Sequence, residues 1–203
     1  MDRPTADSVI ETLGLEPLPH EGGAFRETYR SATRVRTGAD APERAGSTQI
    51  YYLLRPGESS ALHRVRADEV FHHYLGDPVI QLQIDDGTET FGGDGVVRNA
   101  EVVTIGPDLA RGQRPQVLAP RHVWQGAVLA ETDDAPGAAY GFALLGCTVA
   151  PGFEWQDFEL ITPDRAHTLA RALPAHASLI EKAWPEGGES GYKKVQSIGP
   201  SPV

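Results

Sequence analysis

Apolar and polar positions along the chain alternate in a way that predicts many short strands with helices at either end. Val9, Ile10 and Leu13 fall at helical spacing within residues 5–13, and Gly14 supplies a stop. Prolines 17 and 19 force an extended approach into HEGGAFRETYRS, where Gly22 and Gly23 permit a turn and Ala24 to Tyr29 reads as a strand. Residues 37–46 are small and polar and predict an exposed loop. STQIYYLL then has the β-branched and aromatic content of a buried strand, and further strands follow over Ala61 to Val65 and Glu69 to Leu75. In VIQLQI, Ile80, Leu82 and Ile84 take one face and Gln81 and Gln83 the other. The DDG that follows is the clearest hairpin signal, and TETFGGDG after it reads as a short strand or an irregular loop.

EVVTIG, PQVLAP, VWQGAVLA, AAYGFALLGCTV and FEWQDFELI continue the series of strands. Near Ile161 the period changes. Thr162 suits a helix cap, Pro163 the first helical position, and Ala166, Leu169, Ala170 and Leu173 form an apolar stripe. Pro174 ends that helix, HASLIEKAW predicts another, and residues 185–203 read as an extended or flexible tail. Many strands without strand and helix alternation predict an all-β, antiparallel jelly roll or related barrel with short N-terminal and C-terminal helices, as a single domain over residues 1–184.

Charge narrows the partners. The net charge is −10, with 28 acidic against 18 basic residues and no basic block, which argues against nucleic acid. All basic residues but Lys182, Lys193 and Lys194 are arginines, the side chain suited to gripping a carboxylate or phosphate. Cys147 is the one cysteine, so no intrachain disulfide or thiolate cluster forms, and its apolar setting predicts a structural thiol. The N-terminus lacks a basic stretch followed by an apolar one, and no run reaches the length of a membrane span. A cytoplasmic location away from membranes is the expectation.

The densest chemistry lies between Gly57 and Gly76, where His63 and Glu69 stand on successive strands and suit metal ligation or proton transfer. Alternation from Glu69 places Phe71, His73 and Leu75 on its face, which makes His73 a ligand-binding candidate, and puts Val70, His72 and Tyr74 on the other. His72 is expected to point outward or to a subunit contact. A second segment supplies Trp124 as an aromatic wall and Gln125 as a ligand-binding amide. A third supplies Arg26, Glu27, Tyr29 and Arg30, with Arg26 the candidate for binding an acidic group.

These segments resemble the cupin superfamily. Its first motif is matched by Gly57, His63, Glu69 and Gly76, with Val65 where a second histidine is usual, and Gln125 takes the place of the second motif's histidine after Pro120. HEGGAFRETYRS, YYLLRPGESSALHRVRADEVFHHYLGDP, PQVLAPRHVWQGA and LLGCTVAPGFEWQDFEL look like the cupin branch described as a domain of unknown function, over roughly residues 9–175. The resemblance implies a cupin jelly roll, a small-molecule pocket and a homodimer. The usual cupin metal site has three histidines and a glutamate; here it is reduced to His63, Glu69 and Gln125, which implies a weakly held divalent metal or none. Cupin-like sugar epimerases pair a histidine base with a tyrosine acid. By that analogy His63 and Tyr74 are the catalytic candidates, with Tyr29 and Tyr52 as alternatives to Tyr74. Three functions are expected in order: a metal-independent epimerase or isomerase of a sugar nucleotide or similar acidic metabolite; a non-catalytic module binding or sensing an acidic or carbohydrate-like molecule; and a divalent-metal-dependent isomerase, lyase or oxygenase.

Overall fold

The computed structural model describes residues 3–38, 41–93, 95–130 and 140–184. The first helix, α1 (Ala6–Leu13), is closed by a capping box between Thr5 and Ser8, and Gly14 ends it at φ +61°. Three strand pairs follow in chain order: β1 (Glu16–Pro17) with β2 (Ala24–Arg30), the two-residue β3 (Arg34–Val35) with β4 (Arg44–Ala45), and β5 (Thr48–Leu54) against β2. The expected exposed loop over 37–46 is thus cut short by β4. Ala45 is buried there, and Arg44 pairs with Asp157.

Next come β6 (Ser59–Val65), β7 (Asp68–Gly76), β8 (Val79–Asp85), β9 (Asn99–Ile105), β10 (Gln116–Ala119), β11 (Trp124–Leu129), β12 (Ala143–Ala150) and β13 (Phe158–Leu160). The DDG segment does lie between two paired strands, but β8 and β9 are joined by a long connection, irregular where described, rather than a tight turn. Only the last part of FEWQDFELI is strand, since Trp155–Asp157 forms a 3-10 turn. The C-terminal part folds as α2 (Pro163–Ala172), capped by Thr162, and α3 (Ala177–Lys182). The predicted tail lies outside the described residues. Among the described residues, no helix is long and apolar enough to cross a membrane.

Two antiparallel sheets form the jelly roll, one ordered β1-β2-β5-β12-β7-β10 and the other β13-β6-β11-β8-β9. Their facing sides share a core that includes Tyr52, Phe71, Val79, Ile105, Ala127, Leu145 and Cys147. Each outer face is also partly covered. Helix α1 packs Val9 on Leu53 and Leu144 of the larger sheet, while α2 and α3 bring Ala166, Leu169 and Ile180 against Leu62, Leu82, Ile84 and Trp124 of the smaller. Burying each such Leu or Ile side chain contributes about 1.5–3 kcal/mol.

Covering both faces of the smaller sheet inverts the ordinary polarity of β8. Its Leu82 and Ile84 face the helices, so Gln81 and Gln83 turn inward, both buried. They remain inside because their amides are paired. Gln83 Nε2 donates to the Leu118 carbonyl at 2.9 Å and to Gln81 Oε1 at 2.9 Å, and Gln81 Nε2 donates to Gln125 Oε1 at 3.3 Å.

The helices are tied down through Asp86. It accepts from Trp124 Nε1 at 2.8 Å and Arg165 Nη2 at 2.6 Å, and lies 3.7 Å from Arg64 Nη1. The Arg64 guanidinium in turn sits 4.5 Å above the Trp124 ring.

Candidate functional site

Between the sheets, at the β1–β2 edge, lies a cavity of about 500 Å³, large enough for a metabolite of ordinary size. Its deep part carries His63, Glu69, Glu21 and Cys147, its walls carry Ile50, Val65 and Val149, and its aromatic side is built from Phe25, Phe153, Trp155 and Phe158. Arg26, Glu27, Arg30 and Glu154 stand among the lining groups nearer solvent.

Strand β6 places His63. Gln125 of β11 lies opposite His63 and Ala127 opposite Ser60, so three steps along β6 match two along β11. Such a bulge shifts the alternation by one residue. Gln125 and Ala127 share the inward face, and therefore Ser60 and His63 do too. His63 Nδ1 lies 2.7 Å from the Ala61 carbonyl, which can only accept, so the proton sits on Nδ1 and Nε2 is left as the ring's acceptor. The ring stacks on Phe158 with centroids 5.0 Å apart. Burial lowers the His63 pKa, opposed by the charge of Glu69 and by the Ala61 carbonyl.

Glu69 reaches the cavity from β7. Its Oε2 accepts from Gln125 Nε2 at 2.7 Å, the last link of the chain that starts at the Leu118 carbonyl. With an acceptor at each end, the three glutamines are all oriented with an N–H toward Glu69. Burial raises the Glu69 pKa to about 7, with His63 lowering it, the charge of Glu21 raising it, and bonds from Gln125 and Cys147 lowering it.

Glu21 did not stand out in the sequence, yet it lines the same cavity, held by Ser60 of β6 in the smaller sheet while Glu69 comes from β7 in the larger. Its Oε1 accepts from Ser60 Oγ at 2.6 Å, and burial raises its pKa to about 7 against Ser60 and Tyr52, which lower it. Burial, followed by the charges of Glu69 and Glu21, also pushes the Cys147 thiol well up. Cys147 is therefore a neutral thiol on the cavity wall. The only sequence signal for Glu21 is a carboxylate directly before a glycine pair. The aromatic wall was legible only as the cluster of rings in PGFEWQDF.

Of the residues expected to act together, the structure gathers His63, Glu69, Gln125 and Arg26. Arg26 Nη1 donates to the Leu13 carbonyl at the end of α1 at 2.8 Å, and no carboxylate partner is found for it among the described residues. Arg30, by contrast, is held by Glu27 and Glu154.

Three other candidates lie apart from this cavity. Trp124 faces the helices and bonds Asp86, so it is a core residue on the far side of the sheet. Tyr74 is 54% exposed on the outer face, stacked on His72 and lying over Gly146, where a Cβ would come within 2.3 Å of its hydroxyl. His73 lies outside the cavity lining, half-buried, with Nε2 3.3 Å from the Asp77 carbonyl. His73 keeps the face of Glu69, opposite the core residue Leu145, but stands further along β7 from the cavity, and Tyr74 keeps the outer face it shares with His72. A register shift after His73 pairs Leu75 with Leu144 and turns Leu75 outward to the α1 cluster. Of the alternative tyrosines, Tyr29 is about half exposed, and Tyr52 is buried with its hydroxyl donating to the Gly22 carbonyl at 3.0 Å.

A family model described as the cupin superfamily (DUF985) matches residues 7–161. The chain belongs to the cupin superfamily. A hypothetical protein from Leishmania major is similar at 30% identity with a TM-score of 0.71, over 88% of this cupin and 98% of that chain. A Shewanella oneidensis protein is similar at 34% identity with a TM-score of 0.70, over 90% and 98%. A dTDP sugar isomerase from Desulfovibrio desulfuricans is more distantly similar, at 19% identity and a TM-score of 0.42, over 73% of this cupin and 80% of that chain. Among curated proteins, none matches at a significant level.

The metal site usual in cupins does not fit these residues. Val65 lines the cavity without a donor atom, and Gln125 directs its nitrogen at Glu69 and its oxygen at Gln81. Among the described residues, no three His, Cys, Asp or Glu side chains are grouped to hold an ion.

Proposed function

We propose that this cupin binds a small molecule bearing an anionic group and exchanges a proton with its carbon skeleton, as an epimerase or isomerase does, using its own side chains. The observation that carries this reading is the pair at the floor of the cavity. A neutral imidazole, with Nε2 left as acceptor by the Ala61 carbonyl, lies beside a buried carboxyl whose pKa stands near neutrality. A base works best when its pKa lies near the working pH. Arg26, without a carboxylate partner among the described residues, offers guanidinium N–H groups to a carboxylate or phosphate. The aromatic side formed by Phe25, Phe153, Trp155 and Phe158 gives the rest of the ligand an apolar wall and excludes water from the reacting carbon.

The test uses purified protein in deuterium oxide with pyruvate, L-malate, D-malate and dTDP-4-keto-6-deoxyglucose. Incorporation of deuterium at a carbon next to a carbonyl, lost in His63→Ala and Glu69→Gln, is the expected result. Binding by calorimetry with no incorporation into any compound would instead describe a binding module and reject the catalytic reading.

A further inference from the structure

We infer that Glu21 is the second proton-transfer group of this cavity, in the role expected of a tyrosine, so that the site works on a carbon acid with two carboxyls. This rests on the proton-exchange reading above.

The backbone around Glu21 is built to deliver it. His20, Gly22 and Gly23 all take left-handed φ values, of 70°, 96° and 71°, a conformation that an L side chain such as histidine adopts rarely. A Cβ at Gly22 would lie 2.5 Å from the Ser59 carbonyl oxygen, and one at Gly23 would lie 2.7 Å from that of Leu53. The two glycines thus let the loop press against β6 and β5. There the Glu21 carbonyl accepts from the Ala61 N–H at 2.8 Å, and Gly22 N–H donates to Leu18 at 3.2 Å.

The side chain is received by a second irregularity. Ser60, which donates to Glu21 Oε1, faces inward only because of the β6 bulge that also fixes His63. In an unbroken strand Ser60 would point to the helices with Leu62. One bulge therefore presents both the imidazole and the hydroxyl that holds the second carboxyl.

Glu21 has no counter-ion among the described residues to justify its place. Its side-chain hydrogen-bond partner is Ser60, and the titratable groups around it are Glu69, Tyr52 and Cys147. A carboxyl set in a cavity without a cation weakens the fold, and such groups concentrate at functional sites. Its pKa of about 7 leaves both protonation states populated near neutrality.

The step balances without a further reactant. The carboxylate of Glu69, beside His63, takes the proton from the carbon next to a carbonyl, leaving an enolate. Protonated Glu21 returns a proton to that carbon, and the C–H bond re-forms from the other side. One proton has moved from Glu21 to Glu69, and exchange with solvent restores the starting state.

The experiment compares wild type, Glu21→Gln, Glu21→Asp and Ser60→Ala in deuterium oxide with L-malate, D-malate and dTDP-4-keto-6-deoxyglucose, each of which has a stereocentre next to a carbonyl, reading two products separately: deuterium incorporation and inversion at carbon. The expected result is that Glu21→Gln keeps incorporation but loses inversion about 100-fold or more, that Glu21→Asp recovers part of it, and that Ser60→Ala falls between. Equal loss of both products in Glu21→Gln and Glu21→Asp, or no change in either, overturns the role of Glu21 while leaving the proton-exchange reading intact. A wild-type protein that exchanges none of the compounds overturns that reading and the inference with it. Carbon-13 NMR of labelled glutamate side chains in the free protein gives a check independent of turnover. A Glu21 carboxyl titrating with the surface glutamates below pH 5 overturns the inference whatever the compounds show.

Discussion

Replacing Glu69 by Gln should make the protein more stable, and more so at alkaline than at acidic pH. The carboxyl is 7% exposed, and burial lifts its pKa from the ordinary 4.5 to about 7. A carboxyl raised in the folded state binds its proton more tightly there than in the unfolded chain. Stability is therefore unaffected below about pH 4.5, declines as pH rises, and bears the full cost above about pH 7. That cost is about 3 kcal/mol at pH 8 and about 1 kcal/mol at pH 5, a difference of about 2 kcal/mol. Glutamine has the same shape, is neutral at both pH values, and still offers an oxygen to Gln125 Nε2. Urea unfolding at pH 5 and pH 8 measures the effect. For a slope of about 2 kcal/mol per molar, the variant's midpoint should gain about 1 M over wild type between the two conditions. If the gap between variant and wild type is the same at both pH values to within about 0.5 kcal/mol, the buried carboxyl does not carry this charge penalty. The reading of Glu69 as a destabilised, reactive base then fails. If the prediction holds, the fold is giving up stability to keep a base at the site.

Gly22→Ala would drive a Cβ to 2.5 Å from the Ser59 oxygen at a φ of 96°, so it should destabilise the protein by about 2 kcal/mol or more, seen as a lowered thermal midpoint. Asp86→Ala leaves Arg64, Arg165 and the Trp124 N–H with one buried acceptor fewer, and should cost about 3–5 kcal/mol in urea unfolding. An exposed Arg26 carries little of the fold, so Arg26→Ala should change stability by no more than about 0.5 kcal/mol. It should also weaken binding of pyruvate or inorganic phosphate about tenfold by calorimetry, and unchanged affinity would remove Arg26 from the site.

The elements of this cupin were legible in its sequence wherever local chemistry decides. Gly14, Thr162 and Pro163 end or begin helices through geometry settled within a few residues, and those helix ends are where the pattern puts them. His63, Glu69 and Gln125 were likewise marked by strand spacing and by likeness to a motif. Glu21 was not, because a glutamate before two glycines looks the same whether the loop ends in solvent or folds onto a strand. What brings it into the cavity is the contact of Gly22 and Gly23 with β6 and β5, between segments some 30 to 40 residues apart.

The sequence by itself determined the alternation along the strands, the helix ends and the family. Only the tertiary structure decided which face lies inside and which residues meet there. Alternation has a period of two and is blind to direction. In β8, with helices on one side and a sheet on the other, both faces are covered, and the glutamines take the interior because their amides can satisfy one another. A single extra residue then reverses the parity of everything beyond it. In β6 such a residue turns Ser60 inward beside His63, and in β7 it turns Leu75 outward. The partner strand sets where that residue falls, and so the site is written in pairings that no single segment contains.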